Sequence, residues 1–251
     1  MHVVTRSTAV AALFALGTQL SFAQTAPRAE EIFARHVAAV GGKDAILKLS
    51  SVKTTGTMQV VSMGLTAAVE TYLAAPNRVA MRITIPGIGD IASGYDGTTA
   101  WEVNPMQGPR IKSDKEKMTT QEEADFYGSM LFSKERFTSA ETVGPTQFGG
   151  EKAWQVKTVL KSGRVVNEYF SIATGLRIGS QTTQESPSGT LDVTTVESSY
   201  KQFGGLMMPT KTEMSTGATK MVLTVTDIAF GELPSSTFAL PPQIKALVSR
   251  N

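Results

Sequence analysis

From residue 52 to residue 230, threonine, valine, isoleucine and methionine alternate with polar residues. A glycine, proline or asparagine interrupts the alternation roughly every ten residues, the punctuation of short strands. Connections this short cannot hold a crossover helix, so neighbouring strands must run antiparallel. The thirty-one threonines suit pleated, half-buried surfaces better than helices. The pattern predicts hairpins over 52–62, 65–74, 78–85, 90–95 and 99–104. A second set follows over 138–146, 152–160, 164–172, 176–184, 191–203, 207–215 and 220–230. Asp96-Gly97, Ser162-Gly163 and Thr174-Gly175 mark tight turns within these sets. Ten or more strands without a linker predict one domain over 24–251.

Helical periodicity is confined to short stretches. Pro27 opens a segment over 28–40 with Ile32, Phe33, His36, Val37 and Val40 on one side, and Gly41-Gly42 stops it. A second turn is expected over 43–49. Thr119-x-x-Glu122 and Thr120-x-x-Glu123 overlap as capping boxes and predict a helix over 120–132. That helix would bury Ala124, Phe126, Tyr127, Met130 and Leu131 against the sheet. At the N-terminus, Arg6, the apolar run 9–17 and Ser21-Phe22-Ala23 form the tripartite pattern of a cleavable export signal over 1–23. The apolar run is far shorter than the ~20 residues that span a bilayer. The expected product is a soluble periplasmic protein with no stable membrane anchor.

Composition removes several classes of function. The absence of cysteine excludes disulfides, thiolate zinc sites, a Cys nucleophile and an N-terminal lipid anchor. A net charge of +2 and 7% aromatic residues offer neither a polyanion groove nor stacking platforms, so nucleic acid is not an expected partner. Cleavage after Ala23 leaves one histidine, His36, on an apolar helix face. Glu122, Glu123 and Asp125 read as capping groups rather than catalytic acids. Hydrolase and metalloprotease motifs are absent. Gly87-x-Gly89-x-x-Ala92 mimics a dinucleotide fingerprint, but Gly94 and Asp96-Gly97 follow too soon for the required helix, so it reads as a turn. No enzyme activity, cofactor or metal is expected.

A sheet of about ten strands curls, and its inner face must be filled, covered or left hollow. Alternation places Met58 and Val60, then Val79, Met81, Ile83 and Ile85, then Trp154, Val156 and Leu160, then Met221, Leu223 and Val225 as candidates for that face. Both a filled core and a cavity satisfy this pattern, because alternation reports burial. Ten methionines outside the signal favour adaptability to variable ligands.

Several segments, in order, resemble the periplasmic lipoprotein-carrier superfamily of LolA/LolB-like proteins, especially the branch of outer-membrane lipoprotein-sorting-like proteins. They are Glu31-Ile32-Phe33-Ala34-Arg35-His36-Val37 with Gly41-Gly42; Ala75-Pro76-Asn77-Arg78; Gly94-Tyr95-Asp96-Gly97 with Trp101; and Ala124-Asp125-Phe126-Tyr127. Tyr169-Phe170-Ser171-Ile172-Ala173-Thr174-Gly175-Leu176, Gly204-Gly205-Leu206-Met207-Met208-Pro209 and Phe238-Ala239-Leu240-Pro241 complete the series. Ser171 stands where members of that superfamily often carry Asp. The resemblance implies a mainly β fold: one large curved antiparallel sheet, an incomplete barrel, with short helices as a lid over a hydrophobic cavity. It further implies a carrier or binder of lipid or of the acyl chains of a lipoprotein. Face parity nominates Met58, Val60, Met81, Ile83, Trp101, Met221 and Leu223 as cavity wall, and Phe126, Tyr127, Met130 and Leu131 as lid contacts. The rival reading is a periplasmic sensor or regulatory module of the same fold that binds an envelope protein.

Overall fold

The computed structural model describes residues 26–186 and 189–249; the expected signal segment over 1–23 lies outside them. Two helices come first, α1 (Ala29–Ala39) and α2 (Lys43–Leu47). Six strands follow: β1 (Ser51–Val60), β2 (Leu65–Ala74), β3 (Arg78–Ile85), β4 (Gly89–Tyr95), β5 (Ala100–Asn104) and β6 (Gly108–Ile111). After α3 (Asp114–Ala124) and α4 (Phe126–Leu131) come β7 (Phe137–Phe148), β8 (Glu151–Leu160), β9 (Val165–Ser171) and β10 (Arg177–Ser186). The last elements are β11 (Gly189–Phe203), β12 (Leu206–Thr216), β13 (Thr219–Phe230) and α5 (Pro242–Val248).

All thirteen strands belong to one sheet, ordered β6-β5-β4-β3-β2-β1-β13-β12-β11-β10-β9-β8-β7. Two meanders therefore meet at a single seam, where β1 pairs antiparallel with β13. A bulge interrupts that seam between Thr55 and Gly56. Gly56 is required there, because an added Cβ would run into the carbonyl oxygen of Thr224. The sheet does not close: β6 and β7 form its two edges. The chain between them, α3 and α4, therefore has to cross from one edge to the other.

The crossing reveals the curvature. α3 packs against β3, β4 and β5 on one flank and β10 on the other, while the five strands between are not among its principal neighbours. A flat sheet would put β3 and β10, six strands apart, ~29 Å from each other at ~4.8 Å per strand. An eleven-residue helix is only ~16 Å long. The sheet accordingly bends around α3 and bows away beneath it.

The differences from the sequence expectation concern helices and edges. The helix expected over 120–132 is two helices, and the first starts six residues earlier. Its capping box is Ser113 with Glu116: Glu116 N–H donates to Ser113 Oγ at 3.4 Å and Ser113 N–H donates to Glu116 Oε2 at 3.0 Å. The chain breaks at Asp125, whose backbone is extended and whose Oδ1 accepts from Gly128 N–H at 3.0 Å to cap α4. β6 and α5 lack an alternating or helical pattern long enough to be seen. The Gly87 region is the turn joining β3 to β4, with positive φ at Gly87 and Gly89.

Candidate functional site

Helices α1 to α4 lie on one face of the sheet. Val52 and Ile228 pack with the fully buried Phe126 of α4, and Leu73, Phe230, Tyr127 and Met130 join them. α1 is fastened to the other meander by aromatic contacts, with the Phe33 ring centroid 5.0 Å from Phe132 and 5.7 Å from Phe170. Arg35 adds a 2.8 Å hydrogen bond from Nη2 to the Ile172 carbonyl. On the flanking side, Tyr95 and Ala100 bury Ala124 of α3, and Gln121 Nε2 donates to Tyr95 Oη at 2.9 Å.

Strand register assigns the remaining side chains to faces. Met58 pairs with Leu223, Val60 with Met221, Thr71 with Met81 and Val69 with Ile83. Counting in twos from Val52 and Leu73 places Met58, Val60, Met81, Ile83, Met221 and Leu223 on the helix-bearing face. All six are half-buried: they share the face with the lid helices but are not sealed by it. Trp101 is different. Its neighbour Ala100 meets α3, so Trp101, opposite Gly94, points to the outer face. That face is covered by the C-terminal segment, where Phe238 packs on Ala74 and Ala80 and α5 lies on β6.

The lid residues separate as well. Phe126 is fully buried in the core, and Tyr127 is anchored by its hydroxyl donating to the Leu49 carbonyl at 2.7 Å. Met130 lines a half-open pocket of about 290 Å³ between α1, α2, α4 and strands β9 to β12. Leu131 lines a larger groove, about 660 Å³, between α1 and the β7 edge. Glu123 of α3 is open to solvent, yet desolvation by surrounding protein holds its carboxyl above the usual range.

The pocket beneath α4 has features that alternation did not single out. One side is apolar, with Val40, Ile46, Met130, Leu206 and Met208. The other carries charge: Arg177 Nε donates to Glu168 Oε2 at 2.7 Å and Nη1 pairs with Glu197. Burial disfavours the guanidinium charge, but the two carboxylates outweigh it and hold Arg177 protonated. Tyr200 closes the group by donating to the Arg177 carbonyl at 2.6 Å, and burial beside Glu197 pushes its phenol up. His36 sits at the edge, 6% exposed. Desolvation, aided by Arg177, pushes it down to about 4, so the ring is neutral near pH 7. Among the described residues no three His, Asp or Glu side chains are grouped to hold a metal ion.

No protein-family model matches this chain, and no curated protein matches it in sequence. Solved structures do. A DUF1329 family protein from Desulfovibrio piger superposes with a TM-score of 0.58 at 11% identity, covering 84% of this chain and 97% of its own. LolA superfamily protein NE2245 from Nitrosomonas europaea gives 0.57 at 14% identity, covering 86% and 99%. The fold is the LolA-like half-barrel. A putative outer membrane lipoprotein-sorting protein domain from Vibrio parahaemolyticus shares it, with a TM-score of 0.57 at 14% identity over 84% and 95% of the two chains. At these identities the likeness concerns the half-barrel alone, in agreement with the order of sequence segments that resembled this superfamily.

Proposed function

We propose that this half-barrel is a non-catalytic periplasmic binder or carrier of hydrophobic ligands, namely lipid or the acyl chains of a lipoprotein. The observation that carries the reading is the helical layer that spans the sheet without filling it. α3 touches the two flanks while β1, β3 and β13 turn half-buried Met58, Val60, Met81, Ile83, Met221 and Leu223 toward the same side. A half-open pocket of about 290 Å³ remains beneath α4. Each methylene removed from water contributes ~0.8 kcal/mol, so ten supply ~8 kcal/mol before ordering costs. Flexible methionines let one surface accept chains of different shape. The lipoprotein-sorting description of one structural neighbour and the export pattern of residues 1–23 support the periplasmic setting and the acyl cargo.

Organic extraction of protein purified from the cell envelope is expected to release lipid, and the emptied protein to bind an apolar fluorescent probe. Leu131→Asp, on the lid, is expected to weaken probe binding about tenfold or more while strand circular dichroism is retained, since a buried charge is costly. Unchanged affinity would remove the lid from the site. A second reading, an envelope-protein binding module, is favoured by the twelve-residue unpaired edge β7 beside the 660 Å³ groove. Strand addition at that edge would bind peptide without lipid. A pull-down that retains an envelope protein, with no lipid extracted and no probe bound, would select it.

A further inference from the structure

We propose that the pocket beneath α4 holds a single acyl chain at its ester, with the ester carbonyl accepting a hydrogen bond from Nε2–H of His36. The proposal rests on the hydrophobic-ligand reading and adds which chemical class of head the cavity selects. The tautomer follows from the backbone. Arg177 N–H donates to His36 Nδ1 at 3.1 Å, so that nitrogen presents its lone pair and the single proton of the neutral ring is on Nε2. Gly175 O, 3.3 Å from Nδ1, is the longer contact, and a proton between those two atoms would leave the Arg177 amide facing another N–H.

Among the described residues Nε2 has no hydrogen-bond partner, yet it is not one of the sealed, unsatisfied polar atoms found there, Trp101 Nε1 and Arg110 Nε. The atom is therefore not sealed off, and the open space that His36 lines is this pocket. A donor this buried, left unpaired, awaits an acceptor. The apolar wall of Val40, Ile46, Met130 and Leu206 supplies the surface for an alkyl chain, and about 290 Å³ lies at the small end of the ~300–1,000 Å³ range of ligand sites. One chain fits that scale better than two.

Charge balance selects among acyl compounds. Two arginines, Arg136 and Arg177, and two glutamates, Glu168 and Glu197, line the space, so their charges cancel. Arg177 is committed to both glutamates, and Arg136 lies 3.4 Å from Asp125 and donates to the Glu122 carbonyl at 2.9 Å. With no surplus positive charge, a free carboxylate would enter uncompensated, whereas a neutral ester needs only the His36 donor.

The test titrates the full mature chain with cis-parinaric acid methyl ester, cis-parinaric acid and the hydrocarbon diphenylhexatriene. The ester is expected to bind at least fivefold tighter than the acid at pH 7.5. His36→Leu is expected to weaken ester binding by up to about tenfold, the range of one net hydrogen bond, and to leave diphenylhexatriene unchanged, and His36→Gln to restore part of the loss. Equal loss for both probes, or no loss for the ester, would overturn the assignment, as would an acid that binds as tightly as the ester. If diphenylhexatriene, ester and acid all fail to bind, the hydrophobic-ligand reading itself falls. Infrared spectroscopy of a carbonyl-13C ester on the wild-type protein gives a variant-free check: a carbonyl stretch below that in hexane is expected, and a hexane-like value would overturn the hydrogen bond.

Discussion

At the scale of single residues, burial has turned ordinary ionisable groups into structural ones. His36 is expected to make stability depend on pH in a definite window. Its folded value near 4 lies below the ~6.5 of an unfolded histidine, so the unfolded chain binds more protons between the two. Stability from this group is complete above about pH 6.5 and falls as pH drops toward 4, by about 3 kcal/mol in total. Urea denaturation of wild type and His36→Gln across that range should show the slope in the former and a flatter line in the latter. Glu116 acts lower, because Arg110 and the Ser113 groups overcome its burial and draw it down to about 2, so its contribution is lost between about 4.5 and 2. Arg177→Met is expected to cost ~3–5 kcal/mol, since it strands Glu168 and Glu197 in the cavity wall. Loss below ~1 kcal/mol in equilibrium unfolding would contradict the pairing. His36 was legible as a structural or surface histidine on an apolar helix face, but neither its burial nor its role was. The atom that sets its tautomer belongs to Arg177, 141 residues away.

At the scale of elements, strands were far easier to read than helices. β2 and β3 match the sequence expectation at both ends, because alternation stops where Gly64, Pro76 and Pro86 stop it. The lid was read as one helix because two overlapping Thr-x-x-Glu patterns outweighed the real capping box at Ser113 and Glu116. Asp125 then divides the run, a cap that looks like one more acid in a helical stretch. Parity within a strand was sound but could not tell one face from the other. Trp101 went to the cavity side on sequence, and only contact of Ala100 with α3 reveals that it faces outward. The tail behind it stabilises that outer face. Phe238, 3% exposed on Ala74 and Ala80, is expected to cost ~3 kcal/mol when changed to Ala, read as a lower thermal midpoint with unchanged strand content. An unchanged midpoint would show that the tail is dispensable.

At the scale of the whole molecule, the open sheet and the crossing helices are one fact. Two meanders joined at β1 and β13 leave their free edges at β6 and β7, and the chain must pass between those edges over the inner face. The bend that lets α3 reach both flanks is also what keeps it off the central strands. Composition and alternation established a large antiparallel sheet; whether its inner side was solid or hollow depended on how far each helix stood from each strand. The most direct test is calorimetric titration of residues 24–251 with a medium-chain methyl ester at several temperatures, alongside Ser129→Trp, which places an indole in the cavity wall. One-to-one binding with a negative heat-capacity change, lost in the folded variant, is the expected result. Absence of binding to the wild type, or identical binding to both proteins, would contradict the existence of a usable hollow beneath the lid.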